Sequence, residues 1–201
     1  MIYVKRTMHL AVCLAVVVFS ALQTNCKKGF EARYGPFFIE NDTTVYMDGS
    51  TGSRVDIQFE KLISDYPDIK LVIFGTCPGS SDDVSLFEAA TILRSRGINT
   101  HLTSASVIES GAVDFFLAGN RRTREPGSLI GVHAWSEGNK SATDYPVGHS
   151  VHQLYIDFYI FCGFTVEEAE EFYYFTINAA SSKDLHYMTD EEIVHYQLTS
   201  E

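Results

Sequence analysis

The sequence lacks two features that would have assigned it to a common class of protein. Its four cysteines, Cys13, Cys26, Cys77 and Cys162, form no CxxC pair, which disfavours a zinc ribbon or a thioredoxin-type site. Positive charge is also scarce, since 15 lysines and arginines stand against 26 acidic residues and the formal net charge is −11 at pH 7. Because binding to a nucleic-acid backbone needs clustered basic side chains, nucleic acid is not expected as a partner. The spacing of Cys77 and Cys162 leaves open whether they are free or bridged.

The longest apolar run is shorter than a typical membrane span. Residues 10–22 are almost wholly apolar, whereas a spanning helix needs about 20 such residues. A basic start with Lys5 and Arg6, followed by a short apolar run, is typical of a signal peptide. We therefore expect residues 1–25 to be a signal peptide or membrane-targeting leader. A retained membrane anchor and a buried N-terminal helix are the alternatives.

Cys26 offers a second route to the membrane. It follows the apolar run and precedes Lys27 and Lys28, an arrangement that resembles a bacterial lipoprotein acylation site. Asn25 differs from the small residue that is usual at that place. In all of these interpretations the rest of the chain is expected to be exported, and we expect it in the bacterial periplasm or cell envelope. Membrane association would then come through the leader or through a lipidated Cys26.

Beyond the leader, strand-like and helix-like segments alternate. Residues 26–43 are expected to form an extended segment, and residues 44–201 one domain. The strands predicted from β-branched and apolar runs cover residues 44–47, 69–74, 98–102 and 128–133. The helices predicted from apolar spacing cover 55–66, 82–96, 110–118, 148–161, 165–179 and 189–196. This order predicts an α/β fold with a parallel sheet, followed by C-terminal helices.

Three of the predicted strands end just before residues that can carry chemistry. The Pro78-Gly79-Ser80 loop follows one strand, Ser110 begins a helix after the next, and His133 ends a third. Because the carboxyl ends of parallel strands meet at one edge of a sheet, we expect these groups to converge. A serine beside a histidine is the arrangement of a nucleophile with its general base.

Four motifs in this order resemble those of one family. They are the loop Cys77-Pro78-Gly79-Ser80, the helix from Ser110 to Gly119, the run Ile130-Gly131-Val132-His133, and the tail from Asp184 to Leu198. The sequence resembles the Clp-type proteolytic subunit of the crotonase-like superfamily, and more narrowly its exported bacterial members. The resemblance covers roughly residues 44–198.

The resemblance implies a serine peptidase with a catalytic triad. Ser110 would attack the acyl carbon, His133 would carry the proton, and Asp184 would hold the imidazole. It also implies a peptide or protein substrate, a homo-oligomer, and neither a metal nor another cofactor.

The same resemblance assigns the groups that would stabilise the oxyanion. The backbone N–H groups of Ser80 and Gly111 would form the hole, supported by Pro78 and Gly79. One such donor lowers the barrier by about 3 kcal/mol.

Each triad residue also has an ordinary structural interpretation. Ser110 could be an N-cap, His133 a core histidine, and Asp184 a helix cap or the partner of Lys183. Glu109, directly before Ser110, departs from the family pattern, and a carboxylate there would oppose an anionic intermediate.

Further departures lie around the oxyanion loop. Ser80 replaces a glycine, Gly111 replaces a larger residue, and Ala134-Trp135 replaces the usual residues after the histidine. These changes leave the triad intact, but they leave the substrate open.

The sequence also contains weaker candidates. Cys77 is an alternative nucleophile, and His149 with His152 could bind a metal, although no third ligand is evident. A catalytically silent binding or scaffold protein of the envelope is the alternative function. An acyl-CoA enzyme is disfavoured, because an exported protein is separated from the acyl-CoA pool.

Overall fold

A mixed eight-stranded β-sheet organises residues 29–200, the part of the chain that the computed structural model describes. Its strands are β1 (Ala32–Tyr34), β2 (Phe37–Asn41), β3 (Thr44–Met47), β4 (Leu71–Cys77), β5 (Asn99–Glu109), β6 (Arg122–Arg124), β7 (Leu129–Val132) and β10 (His186–Tyr187). A separate hairpin consists of β8 (Ser136–Glu137) and β9 (Lys140–Ser141). The predicted leader, with Cys13 and Cys26, lies outside the described residues.

The centre of the large sheet is parallel. Strands β3, β4, β5 and β7 are parallel neighbours, and β6 pairs in parallel with β5. Antiparallel strands complete both sides, with β2 and β1 beyond β3 and β10 beyond β7. Helices connect the parallel strands along the chain, which confirms the predicted α/β class with a parallel sheet.

The helices are α1 (Val55–Asp65), α2 (Asp83–Ser95), α3 (Gly111–Leu117), α4 (Gln153–Phe161), α5 (Val166–Ala179) and α6 (Asp190–His195). Side chains that the sequence places at their starts cap three of them. Asp82 accepts a hydrogen bond from the Ser85 amide at 3.1 Å, and Thr165 and Thr189 each form a capping box. A short 3-10 turn, Ser150–His152, replaces the first part of the long helix expected from residue 148.

Four phenylalanines join the N-terminal strands to the rest of the domain. Phe37, Phe59, Phe74 and Phe115 are fully buried, and their ring centroids lie 5.0 to 6.2 Å apart in contacting pairs. Since Phe37 belongs to β2, the segment expected to be extended and separate is part of the sheet and core. The expected domain start at residue 44 therefore falls inside the sheet.

Strand β5 is longer than the sequence suggests. Its pairing with β4 passes from Phe74 opposite Leu102 to Thr76 opposite Val107, so extra residues of β5 bulge out between the two registers. Ser106 fills the bulge and donates its hydroxyl hydrogen to the Phe74 carbonyl. The strand predicted from the sequence ends at residue 102, whereas the bulge lets β5 continue to Glu109, directly before Ser110 at the sheet edge.

Cys77 and Cys162 are both free and buried, which answers the question their spacing left open. Between residues 29 and 200, the structure contains no helix of sufficient length and apolarity to cross a membrane.

Candidate active site

Three neighbouring parallel strands deliver the predicted site residues to one edge of the sheet. The oxyanion loop follows Cys77 at the end of β4, Ser110 follows Glu109 at the end of β5, and His133 follows Val132 at the end of β7. The convergence expected from the strand order is present, because β5 lies between β4 and β7.

Ser110 has an unusual backbone conformation. Its φ is 53° and its ψ −133°, a left-handed region that favours glycine and costs other residues about 1–3 kcal/mol. Two hydrogen bonds hold it there: the Ser110 amide donates to the Gly131 carbonyl at 2.9 Å, and the Val113 amide donates to the Ser110 carbonyl at 2.8 Å. The Ser110 side chain does not cap α3, and among the described residues it makes no hydrogen bond. Its hydroxyl is therefore available for reaction.

Glycines allow the oxyanion loop to approach Ser110. Gly79 has a φ of +115°, and a Cβ built on it would lie 2.8 Å from the Ser110 Cβ. A Cβ on Gly111 would lie 2.7 Å from the Ser80 Cβ. The amide of Thr51 fixes the loop by donating to the Gly79 carbonyl at 3.0 Å. Both glycines are therefore required by close packing at this junction.

Two unpaired backbone donors lie at the same junction. Within residues 29–200, the N–H groups of Ser80 and Gly111 enter no hydrogen bond. The Ser80 side chain is anchored, since its hydroxyl accepts from the Asp82 amide at 3.0 Å. A pair of free N–H groups beside a serine is what an oxyanion hole requires.

His133 is half-buried, and its Nδ1 lies 2.8 Å from the Ala134 carbonyl oxygen. A carbonyl can only accept, so Nδ1 carries a proton, and in the neutral imidazole Nε2 then keeps the free lone pair. This tautomer suits a general base. His133 and Ser110 line the same cleft, although no hydrogen bond joins them.

Asp184 lies near His133 without bonding to it. The residue is exposed, and its carboxylate accepts from the Ser181 hydroxyl at 2.9 Å. Asp184, His133 and Glu109 line a second, shallow hollow at the sheet edge. In this structure the Ala134 carbonyl, rather than Asp184, sets the histidine tautomer.

A residue of β10 forms a hydrogen bond with the carboxylate of Glu109. The Tyr187 hydroxyl donates to it, and this hydrogen bond raises the pKa of Tyr187. The carboxylate next to the predicted nucleophile is thus stabilised by a specific hydrogen-bond donor.

Ser110 and His133 open onto a narrow cleft with an accessible volume of about 40 Å³. The side chains opposite them are largely aromatic and come from the segment after β7 and from α4 and α5. The lining also includes Asp83, Asp114, Trp135, Tyr155, Tyr159 and Tyr173.

Two tyrosines hold the acidic side chains of the cleft. The Tyr159 hydroxyl donates to Asp114 Oδ1 at 2.8 Å, and the Tyr155 hydroxyl donates to Asp83 Oδ2 at 2.7 Å. Burial, together with the neighbouring Asp83, raises the pKa of Asp114 well above its ordinary value. Sequence reasoning missed Asp114, yet a signal existed: it is an acid in an otherwise apolar helix, one turn after Ser110.

The weaker candidates have other surroundings. Cys77 Sγ donates to the Met47 carbonyl at 3.4 Å, and burial raises the pKa of the thiol to about 12, so Cys77 is poorly suited as a nucleophile. His152 is buried, with Nδ1 at 2.7 Å from the Tyr173 hydroxyl. Residues 29–200 contain no cluster of three or more histidine, cysteine or acidic side chains suited to a metal.

Comparison with known proteins gives distant structural neighbours. No protein-family model matches the sequence, and no curated protein matches it. One similar solved structure is a mutant of the 1510-N membrane-bound stomatin-specific protease, with 17% identity, a TM-score of 0.48, and coverage of 79% of this chain and 78% of that chain. Another is a second mutant of that protease in complex with a substrate peptide, with 16% identity, a TM-score of 0.47, and coverage of 79% and 74%. With identities this low and TM-scores below 0.5, the chemistry of the site has to be argued from this chain's own residues.

Proposed function

We propose that this protein is a serine hydrolase that cleaves peptide bonds through an acyl-enzyme. The observation that carries the proposal is the environment of Ser110. Its free hydroxyl sits on a strained turn, in a cleft shared with His133 and beside the unpaired N–H groups of Ser80 and Gly111. Strain at a non-glycine residue usually marks a functional position.

The reaction follows from these groups. His133 Nε2 takes the Ser110 proton while Oγ bonds to the acyl carbon, and the N–H groups of Ser80 and Gly111 stabilise the oxyanion. The imidazolium then protonates the leaving amine as the carbon–nitrogen bond breaks. Water next attacks the ester, its proton passes through His133 to Ser110, and the acid is released. Because Ser110 and His133 are not hydrogen-bonded in this structure, substrate binding has to bring them within hydrogen-bond distance. Catalytic hydrogen bonds are often longer in structures without substrate and shorten when it binds.

Asp184 has an auxiliary role in this proposal. Because the Ala134 carbonyl holds Nδ1, Asp184 would act mainly by stabilising the imidazolium charge across the shallow hollow. We expect His133→Ala to slow hydrolysis by about 10²–10⁴-fold, the usual contribution of a general base. Asp184→Asn is expected to slow it by less than about tenfold. An equal loss of hydrolysis rate in His133→Ala and Asp184→Asn would make Asp184 a full member of the triad.

Peptide as the substrate class rests on the resemblance to the Clp-type family. We propose, on the sequence of residues 1–25, that the protein is exported and acts in the periplasm or envelope. Lipidation of Cys26 and assembly into a homo-oligomer belong to the same proposal. Mass spectrometry of the mature N-terminus would test the leader and the lipid together.

A fluorophosphonate probe tests the nucleophile. We expect it to label the wild-type protein covalently and to leave Ser110→Ala unlabelled, because only Oγ of Ser110 is activated. Ser95→Ala, an exposed serine at the end of α2, is the matched control and should label like the wild type. Labelling that survives in Ser110→Ala would disprove the assignment.

A catalytically silent binding protein is the second candidate. It is favoured by one feature, the absence of hydrogen bonds linking Ser110, His133 and Asp184 within the described residues. A complete lack of probe labelling in well-folded protein would support this function over hydrolysis.

A further inference from the structure

The cleft beside Ser110 contains an acidic side chain whose bonding is incomplete. Asp114 is only 7% exposed, and its Oδ1 accepts from Tyr159. Its second oxygen, Oδ2, receives no hydrogen bond from any described residue, although Asp114 lines the cleft. Asp114 Oδ2 is not fully enclosed, and Asp114 lines the cleft, so a ligand in the cleft can donate a hydrogen bond to this oxygen.

The charge around Asp114 is unbalanced. The Asp83 carboxylate also lines the cleft, and its only hydrogen bond there comes from Tyr155. Among the described residues, no lysine or arginine lines this cleft. Burial, and after it repulsion from Asp83, raise the pKa of Asp114 and favour its neutral form when the cleft is empty. A bound cation would reverse that preference and restore the carboxylate.

The walls of the cleft suit the rest of a basic side chain. Trp135 and Tyr155 are stacked at 6.0 Å with an interplanar angle of 8°, and Tyr155 stacks on Tyr173 at 5.5 Å. These rings are fixed, since Trp135 Nε1 donates to the Tyr173 hydroxyl at 2.9 Å. Aromatic faces pack well against a methylene chain and attract a cation at its end.

We propose that this cleft is a specificity pocket for a lysine or arginine side chain of the substrate, with Asp114 and Asp83 as its cation-binding groups. The proposal rests on the proposed hydrolase function, because it places the basic residue next to the bond that Ser110 cleaves. Asp114 lies on α3, about one turn beyond Ser110, the residue that precedes this helix, which places the pocket beside the nucleophile. The substrate is thereby narrowed from any peptide to a peptide with a basic residue at the cleavage site.

Matched covalent probes test the preference. Peptidyl phosphonate esters that differ only in carrying lysine, arginine or uncharged norleucine react with a serine nucleophile by forming an oxygen–phosphorus bond and releasing phenol. We expect the wild-type protein to react at least about tenfold faster with the lysine or arginine probe than with the norleucine probe, a ratio equal to about 1.4 kcal/mol. The ratio should fall to near one in Asp114→Asn and in Asp83→Asn.

A control variant and an internal reference support the measurement. Asp68→Asn removes an exposed acid outside the cleft and should keep the wild-type ratio. Asp114→Asn retains an acceptor for the Tyr159 hydroxyl, so the fold should persist. A change in the reactivity of Ser110 affects both probes equally and therefore cancels in the ratio of their rates. If the ratio is unchanged in both Asp114→Asn and Asp83→Asn, the pocket assignment is wrong.

A binding experiment separates this inference from the proposed function. Trp135 is the only tryptophan of the chain and lines the cleft, so its fluorescence reports occupancy. In Ser110→Ala, N-acetyl-lysine amide should cause a saturable change that N-acetyl-norleucine amide does not, and Asp114→Asn should abolish it. Saturation with lysine but no phosphonate labelling would refute the hydrolase and keep the pocket. Phosphonate labelling with no preference for the basic probes and no change in Trp135 fluorescence would refute the specificity pocket but leave the proposed hydrolase function intact.

Discussion

At the scale of single residues, two side chains of the candidate site occupy positions that cost stability. Ser110 adopts a backbone conformation that favours glycine, and Asp114 buries a carboxyl group in an aromatic cleft. Neither feature strengthens the fold. Unfavourable local features of this kind are common at functional sites. Each therefore has a measurable consequence for stability.

The strain at Ser110 predicts a difference between two inactive variants. Ser110→Ala keeps a Cβ in the left-handed region, whereas Ser110→Gly removes it. We expect Ser110→Gly to be more stable than Ser110→Ala by about 1 kcal/mol in the free energy of unfolding, measured by urea denaturation. Equal stabilities would show that the turn is not strained.

The burial of Asp114 predicts a pH dependence of stability. Its pKa is raised in the folded protein, so the protonated carboxyl favours folding and the benefit is lost as pH rises from the ordinary aspartate range through the raised pKa. Asp83, Tyr155 and Tyr159 are the titratable groups that act on it, and the tyrosines stay neutral over this range.

We expect the free energy of unfolding of the wild type, relative to that of Asp114→Asn, to fall as pH increases through this window. Thermal unfolding at a series of pH values measures it. Asp68→Asn should run parallel to the wild type, because Asp68 is exposed. A difference between wild type and Asp114→Asn that does not vary with pH would contradict the raised pKa.

At the scale of elements, the candidate site depends on how three loops are joined. The bulge in β5, the hydrogen bond from Thr51 to Gly79 and the one from Ser110 to Gly131 fix the ends of β4, β5 and β7 against one another. Because the loops touch at glycines, a small change in one loop displaces its neighbour.

Gly79→Ala tests this coupling. The added methyl group would lie 2.8 Å from the Ser110 Cβ, at a φ of +115° that alanine rarely adopts. We expect a loss of about 1–3 kcal/mol in stability and a large loss of fluorophosphonate labelling, although no catalytic group is removed. Alanine at Gly49, which is also left-handed at +102° but has no atom within 4 Å of its Cβ, is the control. The Gly49 variant should lose stability but keep fluorophosphonate labelling. Equal labelling of the Gly49 and Gly79 variants would exclude the coupling between the loop and Ser110.

At the scale of the whole molecule, the parallel centre of the sheet needs its antiparallel sides. The hairpin of β1 and β2 covers the edge of β3 and contributes Phe37 to the aromatic core. The other side is closed by β10, which also brings Tyr187 to Glu109. Both additions protect edges that would otherwise expose unpaired backbone groups.

A pair of truncations tests the N-terminal boundary. A chain beginning at residue 29 keeps β1 and β2, and we expect cooperative thermal unfolding. A chain beginning at residue 44 loses Phe37 and exposes β3, and since removing one buried phenylalanine ring alone costs about 3–5 kcal/mol, we expect it to aggregate or remain unfolded. Circular dichroism and gel filtration would distinguish the two. A stable chain from residue 44 would place the boundary where the sequence suggested it.

Local sequence patterns determined the elements that depend on local physics. The cap at Asp82, the capping boxes at Thr165 and Thr189, and the strand Thr44–Met47 follow from hydrogen-bonding side chains and apolar periodicity. The order of strands and helices also determined that the loop at Ser80, Ser110 and His133 would meet. The roles of Ser110, His133 and Asp184 as a triad stay a prediction.

Only the tertiary structure decided how those residues are bonded. The bulge in β5 needs the Phe74 carbonyl of a neighbouring strand, and the tautomer of His133 is set by a carbonyl rather than by the predicted carboxylate. The position of Asp114 between Ser110 and the tyrosines of α4 depends on packing between Asp114 and Tyr159, which are 45 residues apart in the chain. Long-range contacts of this kind leave no periodic trace in the sequence, because the free energy that selects them comes from burial and hydrogen bonding in the assembled fold.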